Sequence, residues 1–153
     1  MANTYNQIYI QTVFAVKYRQ AMIAPDWKPT LQGVIGNLIN ENECKTIIVN
    51  GVEDHIHCFF ALHPKIAISE LMKNVKAKSS KWINDHGMTE AKFAWQDGYG
   101  AFSYSHSHID SVYRYIERQE EHHKKQTFID EYLESLQKFG IEYNDAYIFQ
   151  NPI

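Results

Sequence analysis

Two apolar runs, residues 44–49 and 55–62, are separated by a short connection that opens on Asn50-Gly51, a strong turn signal. So short a link permits one arrangement, an antiparallel pair of neighbouring strands. This hairpin restricts everything around it. Before it lie a strand over about residues 7–16, rich in Ile, Tyr, Val and Phe, and a helix opened by Asp26 to Pro29. Leu31, Val34, Ile35, Leu38 and Ile39 give that helix an apolar stripe. After it, Ile68, Leu71, Met72, Val75, Trp82 and Ile83 mark a second helix, with Ser79 on the same stripe and an end near Asp85-His86-Gly87. Gly98-Tyr99-Gly100 leads into a fourth strand, about residues 101–106, and another helix starts near Ile109. Thr127, with Asp130 and Glu131, caps a last helix over 128–138 that stops at Gly140. Strand, helix, strand, strand, helix, strand is the split βαβ order. It predicts an α+β fold, a ferredoxin-like sandwich with an antiparallel sheet and additional C-terminal helices. Two helices cover one sheet face; the other is left to a substrate or to the C-terminal helices.

The 153 residues fit one domain, taken here as 1–153. With 44% hydrophobic and 22% charged residues the composition is that of an ordinary globule. There is no run of about 18 apolar residues, and the first residues lack the basic and apolar regions of a secretory signal. The two cysteines, Cys44 and Cys58, lie in strand-like runs and read as buried thiols. These features predict a cytoplasmic protein that spans no membrane. The net charge of −3 argues against a simple electrostatic nucleic-acid binder, although a local basic face can still serve.

His55 and His57 lie two apart in the third strand, so they project from one face, about 6.6 Å apart along the chain. Phe59 and Ala61 share their side, whereas Ile56, Cys58, Phe60 and Leu62 face the helices. Two neutral imidazoles at this spacing can grip one divalent ion. The alternative is a pair of half-exposed surface histidines.

The segment from His108 to His123 supplies a second pattern when placed on one continuous helix. Ile109, Val112, Tyr113 and Ile116 form its apolar stripe, which makes Tyr113 the core tyrosine. Tyr115 and Gln119 lie beside that stripe, one turn apart, with His108 and His122 on the same flank. A tyrosine can attack a phosphodiester and form a covalent phosphotyrosine. With an ordinary pKa of about 10 it needs help near neutral pH. A metal ion can orient and polarise the phosphate, and Gln119 can add an oxygen ligand.

Asp54-His-Ile-His57-Cys-Phe-Phe, following Asn50-Gly51-Val52, resembles the HUH motif of the single-tyrosine transposases of bacterial insertion sequences. The segment from Tyr115 through Gln119 to His123 is similar to their tyrosine helix, and Trp95 to Ser103 to the stretch before their last strand. The resemblance implies a ferredoxin-like core, Mg²⁺ or Mn²⁺ bound by His55, His57 and Gln119, and Tyr115 as nucleophile. It implies cleavage and rejoining of single-stranded DNA with hairpin ends through a 5′-phosphotyrosine. It also implies a homodimer in which the tyrosine helix of one subunit can complete the other's site.

Lys73, Lys76, Lys78 and Lys81 on the second helix, with Lys17, Arg19, Arg114 and Arg118, are candidates for phosphate contacts. Phe102 and Tyr104 are candidates for stacking on unpaired bases. Two other readings use the same residues: a non-catalytic single-stranded nucleic-acid-binding module, and a domesticated nuclease that nicks without moving an element.

Overall fold

A computed structural model describes residues 4–153. The sheet comprises β1 (Tyr9–Ala15), β2 (Lys45–Val52), β3 (His55–Ala61) and β4 (Gly100–Tyr104), in the spatial order β2-β3-β1-β4. Every neighbouring pair is antiparallel. Helix α1 (Lys28–Glu41) connects β1 to β2, and α2 (Ile68–Asp85) connects β3 to β4. Three further helices follow β4: α3 (Ile109–Glu117), α4 (Gln119–His122) and α5 (Phe128–Lys138). This is the α+β sandwich with C-terminal helices that the sequence predicts.

The main core lies between α1, α2 and one sheet face. Leu31, Ile35, Leu38 and Ile39 of α1 meet Leu71, Met72, Val75 and Ile83 of α2 over Ile10, Phe14, Ile56, Cys58 and Phe60. These side chains exclude water along the helical and strand periods noted above. Truncating one of them, such as Leu71→Ala, should cost about 2–5 kcal/mol. Ser79 is fully buried on the α2 stripe, and its hydroxyl accepts a hydrogen bond from Trp95 Nε1 at 3.0 Å.

The turn differs from the sequence expectation. Asn50 and Gly51 are ladder residues of β2, paired with His57 and Ile56, and the chain reverses at Glu53-Asp54. Gly51 is needed for close approach: a Cβ there would lie 2.1 Å from the carbonyl oxygen of His55. The Asn50 side chain instead serves the opposite layer, as described below.

The second sheet face is shared between C-terminal elements. Helix α3 packs on β2 and β3, burying Val112 and Ile116 against Phe59. Helix α5 packs over β1 and β4, where Tyr132 crosses Gly100 so closely that a Cβ would lie 2.7 Å from its ring. The tail completes this layer. Phe149 packs on Phe128 and Tyr132, with ring centroids 5.7 and 5.0 Å apart. Ile153 then exchanges backbone hydrogen bonds with Lys17 and Arg19.

Candidate active site and metal centre

The register of the sheet places Gln11, Val13 and Ala15 opposite Phe59, His57 and His55, all on the face beneath the C-terminal helices. The histidine pair therefore sits at the seam between α3 on one side and α5 on the other. Both rings are buried, His55 completely.

Each imidazole is oriented through Nδ1. His55 Nδ1–H donates to Asp54 Oδ1 at 2.7 Å, and His57 Nδ1–H donates to Gln11 Oε1 at 2.7 Å. The Gln11 amide is itself oriented, because its Nε2 donates to the Tyr104 hydroxyl at 2.9 Å. With Nδ1 carrying the proton, a neutral ring presents the Nε2 lone pair inward. There, Nε2 of His55 lies 3.1 Å from Gln119 Oε1, and Nε2 of His57 lies 3.2 Å from Glu131 Oε1. The rings stand edge to face, 5.0 Å apart.

Helices α3 and α4 are one segment interrupted at Arg118. The break is stabilised from β2: Asn50 Nδ2 donates to the carbonyls of Ile116 and Glu117 at 2.9 and 3.2 Å. Those carbonyls belong to the last turn of α3, where backbone donors run short. The Lys28 ammonium fixes the next turn by donating to the Gly51 carbonyl and to Glu120. The outcome is that Gln119 is fully buried and Tyr115 lies half-buried on His57, with ring centroids 6.0 Å apart at 89°. His122 packs on the other side of Tyr115 at 4.7 Å.

Tyr113 departs from expectation. It is 38% exposed, because the buried stripe is Val112 and Ile116, with Tyr115 and Gln119 flanking it on the site side. Tyr113 occupies the opposite flank and faces solvent.

One carboxylate was not anticipated as part of the site. Glu131 of α5 is 5% exposed, and its Oε1 lies 3.8 Å from His55 Nε2 as well as 3.2 Å from His57 Nε2. Its Oε2 lies 3.3 Å from His123 Nε2 and has no hydrogen-bond partner of good geometry. His55, His57 and Glu131 offer donor atoms all within 4.8 Å of one another, a group able to hold a metal ion. In the sequence Glu131 reads as an acidic first-turn residue of a capped helix, and Thr127 does accept from Asp130 N. The available signal was its spacing, since Glu131 falls on the same stripe as Phe128, Tyr132 and Leu136.

The electrostatics follow from burial. Burial pushes His57 down to about 4, against the opposing pull of Glu131, so its ring is neutral near pH 7. Burial raises Glu131, but the close approach of the His123 and His57 rings outweighs it and holds the carboxyl well below its usual range. His123 moves up: burial lowers it, and the Glu131 carboxylate 3.3 Å from its Nε2 wins. Burial and the Glu131 charge raise the Tyr115 hydroxyl far above its ordinary value, so it is a protonated phenol in this arrangement. His57 Nε2 and Glu131 Oε1 face each other at 3.2 Å, and the second carboxylate oxygen is buried without a hydrogen-bond partner of good geometry. Two imidazole nitrogens and a buried carboxylate with an orphaned oxygen, all within 4.8 Å of one another, fit a divalent metal.

The predicted basic residues divide between the two layers. Lys73, Lys76, Lys78 and Lys81 lie on α2, in the layer on the far side of the sheet from the histidines. Lys76 donates to the Gln96 and Gly98 carbonyls, and Lys81 pairs with Asp85. Arg114 and Arg118 are exposed on the site side. Phe102 is buried under Phe139 of the α5 C-cap, and Tyr104 packs on Phe59 and Phe139. A cavity of about 410 Å³ opens beside Tyr115 between α3 and α5, bordered by Tyr104, Ser111, Glu131 and Lys138.

The fold has known counterparts. A protein from Deinococcus radiodurans described as a transposase superposes with a TM-score of 0.60 at 16% identity, covering 78% of this chain and 95% of its own. A REP-associated tyrosine transposase solved with a REP hairpin gives 0.55 at 11% identity, covering 84% and 74%. No curated protein matches the chain. No helix among the described residues is long and apolar enough to cross a membrane. Residues 4–119, ending on the buried Gln119, match the family described as Transposase IS200 like, and the chain belongs to that transposase family.

Proposed function

We propose that this transposase cleaves and rejoins single-stranded DNA through Tyr115, with a divalent metal held by His55 and His57. The observation that carries the reading is the approach of Tyr115 to His57 inside one buried cluster, 6.0 Å between ring centroids. Tyr115 is the nucleophile: its oxygen displaces the 3′ oxygen of the scissile phosphate. The products are a 5′-phosphotyrosine and a free 3′-OH, and attack by a 3′-OH reverses the step. The phenol loses its proton as the bond forms and the leaving 3′ oxygen takes one up, so the step is proton-neutral overall; burial and the Glu131 charge disfavour a free phenolate. The metal, Mg²⁺ or Mn²⁺, would polarise the phosphate and offset its charge. His55 and His57 would hold it, with Gln119 or Glu131 adding oxygen; two imidazoles favour Mn²⁺ over Mg²⁺.

Asp54 and Gln11 keep both rings in the ligating tautomer. The cavity beside Tyr115 has room for a nucleotide, and Arg114 and Arg118 border the same layer. Hairpin-bearing DNA is the proposed substrate, because a fold relative was solved with a REP hairpin. These groups all come from one chain, so each copy in a homodimer would carry a site of its own.

The test is incubation with hairpin-bearing single-stranded DNA and Mn²⁺ or Mg²⁺, followed by denaturing electrophoresis. A covalent adduct is expected, lost on chelation and absent in Tyr115→Phe. An adduct that survives in Tyr115→Phe contradicts the assignment. Metal-independent binding without any adduct points instead to a non-catalytic binding module.

A further inference from the structure

The family match stops at Gln119, yet the carboxylate of the site lies beyond it, on α5. The same face of α5 that buries the helix carries Glu131 inward. Phe128 stacks on the His55 ring at 4.0 Å and 14°, and Tyr132 crosses Gly100. Phe149 from the tail packs on both aromatics, and Gln150 is paired with Gln96. The segment is therefore anchored by an apolar latch and by one buried carboxylate. That carboxylate has one oxygen between two imidazole Nε2 atoms and another without a well-formed hydrogen bond. A buried carboxylate so placed is stabilised by a cation bound among the same groups.

We propose that Glu131 is a third protein ligand to the divalent cation, beside His55 and His57, so that cation binding and docking of α5 onto the sheet are one coupled event. The inference rests on the metal-dependent reading above and adds a ligand from outside the family segment. Two imidazoles and a carboxylate form a donor set suited to Mn²⁺ and neighbouring ions. Coupling is reciprocal: whatever the cation adds to α5 docking, a docked α5 returns to cation affinity by the same factor.

The experiment measures Mn²⁺ binding to the full chain by calorimetry, together with amide hydrogen exchange across 128–138. In the wild-type protein Mn²⁺ should slow exchange in α5. Glu131→Gln keeps the shape but removes the charge. It should weaken Mn²⁺ binding at least tenfold and abolish the slowing. Phe149→Ala leaves every donor atom in place and loosens only the latch. It should weaken Mn²⁺ binding several-fold, and it decides the matter if Glu131→Gln does not fold. Binding by either variant within twofold of wild type overturns the proposal, as does α5 exchange that ignores Mn²⁺. In those cases the metal-dependent reading stands as long as the wild type binds Mn²⁺ and forms the DNA adduct. A wild-type protein that binds no Mn²⁺ overturns both.

Discussion

The two halves of the site are built differently. The sheet half is His55 and His57 with Gln11, on adjacent strands whose ladder fixes each side chain's direction, and Asp54 in the turn that leads into β3. A one-residue slip would turn the whole set toward the helices, so the buried pattern itself enforces the register. The helical half, Tyr115, Gln119, His123 and Glu131, rests on three short helices with a break at Arg118 and a turn before Thr127. Its geometry depends on side chains from other elements: Asn50 at the end of α3, Lys28 at α4, Phe149 of the tail at α5. The sheet half is a rigid mount, and the helical half is positioned by contacts that can be removed one at a time.

The sharpest way to separate the halves is at the nucleophile. Tyr115→Phe should reduce adduct formation by more than about a thousandfold, consistent with loss of a covalent catalyst, while leaving Mn²⁺ binding in place. Tyr113→Phe, on the exposed flank of the same helix, should stay within twofold of wild type by the same assay. A larger loss at Tyr113 would break the helical assignment.

Phe59 joins the halves, lying on β3 beneath Val112 and Ile116. Phe59→Ala should cost about 3–5 kcal/mol in urea unfolding. A loss below about 1 kcal/mol would mean that α3 is not packed on the sheet as described.

The sheet half should also make itself felt in pH. His57 falls from 6.5 to about 4 on folding, so the unfolded chain binds its proton first as pH drops. The stability this neutral histidine permits is complete above pH 6.5 and declines toward pH 4, by about 3 kcal/mol. His123 moves the opposite way, and its contribution is already complete below 6.5. Chelator-treated wild type should therefore lose stability across this window in denaturant titrations, and His57→Gln should flatten the loss. A wild-type profile that is flat from pH 6.5 to 4 would contradict the neutral, buried state of the ring.

The smallest effect is expected at the seam. Asn50→Ala removes two hydrogen bonds to the end of α3 and should cost about 1 kcal/mol. Faster amide exchange should be confined to residues 116–122. Uniform acceleration across the sheet would show that Asn50 supports the strand rather than the helix end.

The same contrast explains what could be read from the chain. Alternation in 55–62 correctly separated the histidines and Phe59 from Ile56, Cys58 and Phe60, because a strand's two faces follow from its period alone. The helical stripes of α1 and α2, and the Thr127 cap, are equally local properties. Asn50-Gly51 misled because a turn signal and a close backbone approach both select glycine. Tyr113 misled because the width of the buried stripe on α3 is set by how the helix lies on β2 and β3. The interruption at Arg118 depends on Asn50, far away in sequence. Glu131 escaped notice for the same reason: an acid near a helix start is ordinary, and only the packing of α5 turns it toward two histidines.

The most direct test of the central claim is to locate the DNA bond. Trypsin cleaves after Arg114 and Arg118, which isolates Tyr115 on a four-residue peptide and leaves Tyr104 and Tyr113 on the preceding one. After reaction with hairpin-bearing single-stranded DNA and Mn²⁺, nuclease and trypsin digestion followed by mass spectrometry should find a nucleotide mass on the Tyr115 peptide. The same mass on the peptide ending at Arg114, or on neither peptide, would contradict the account.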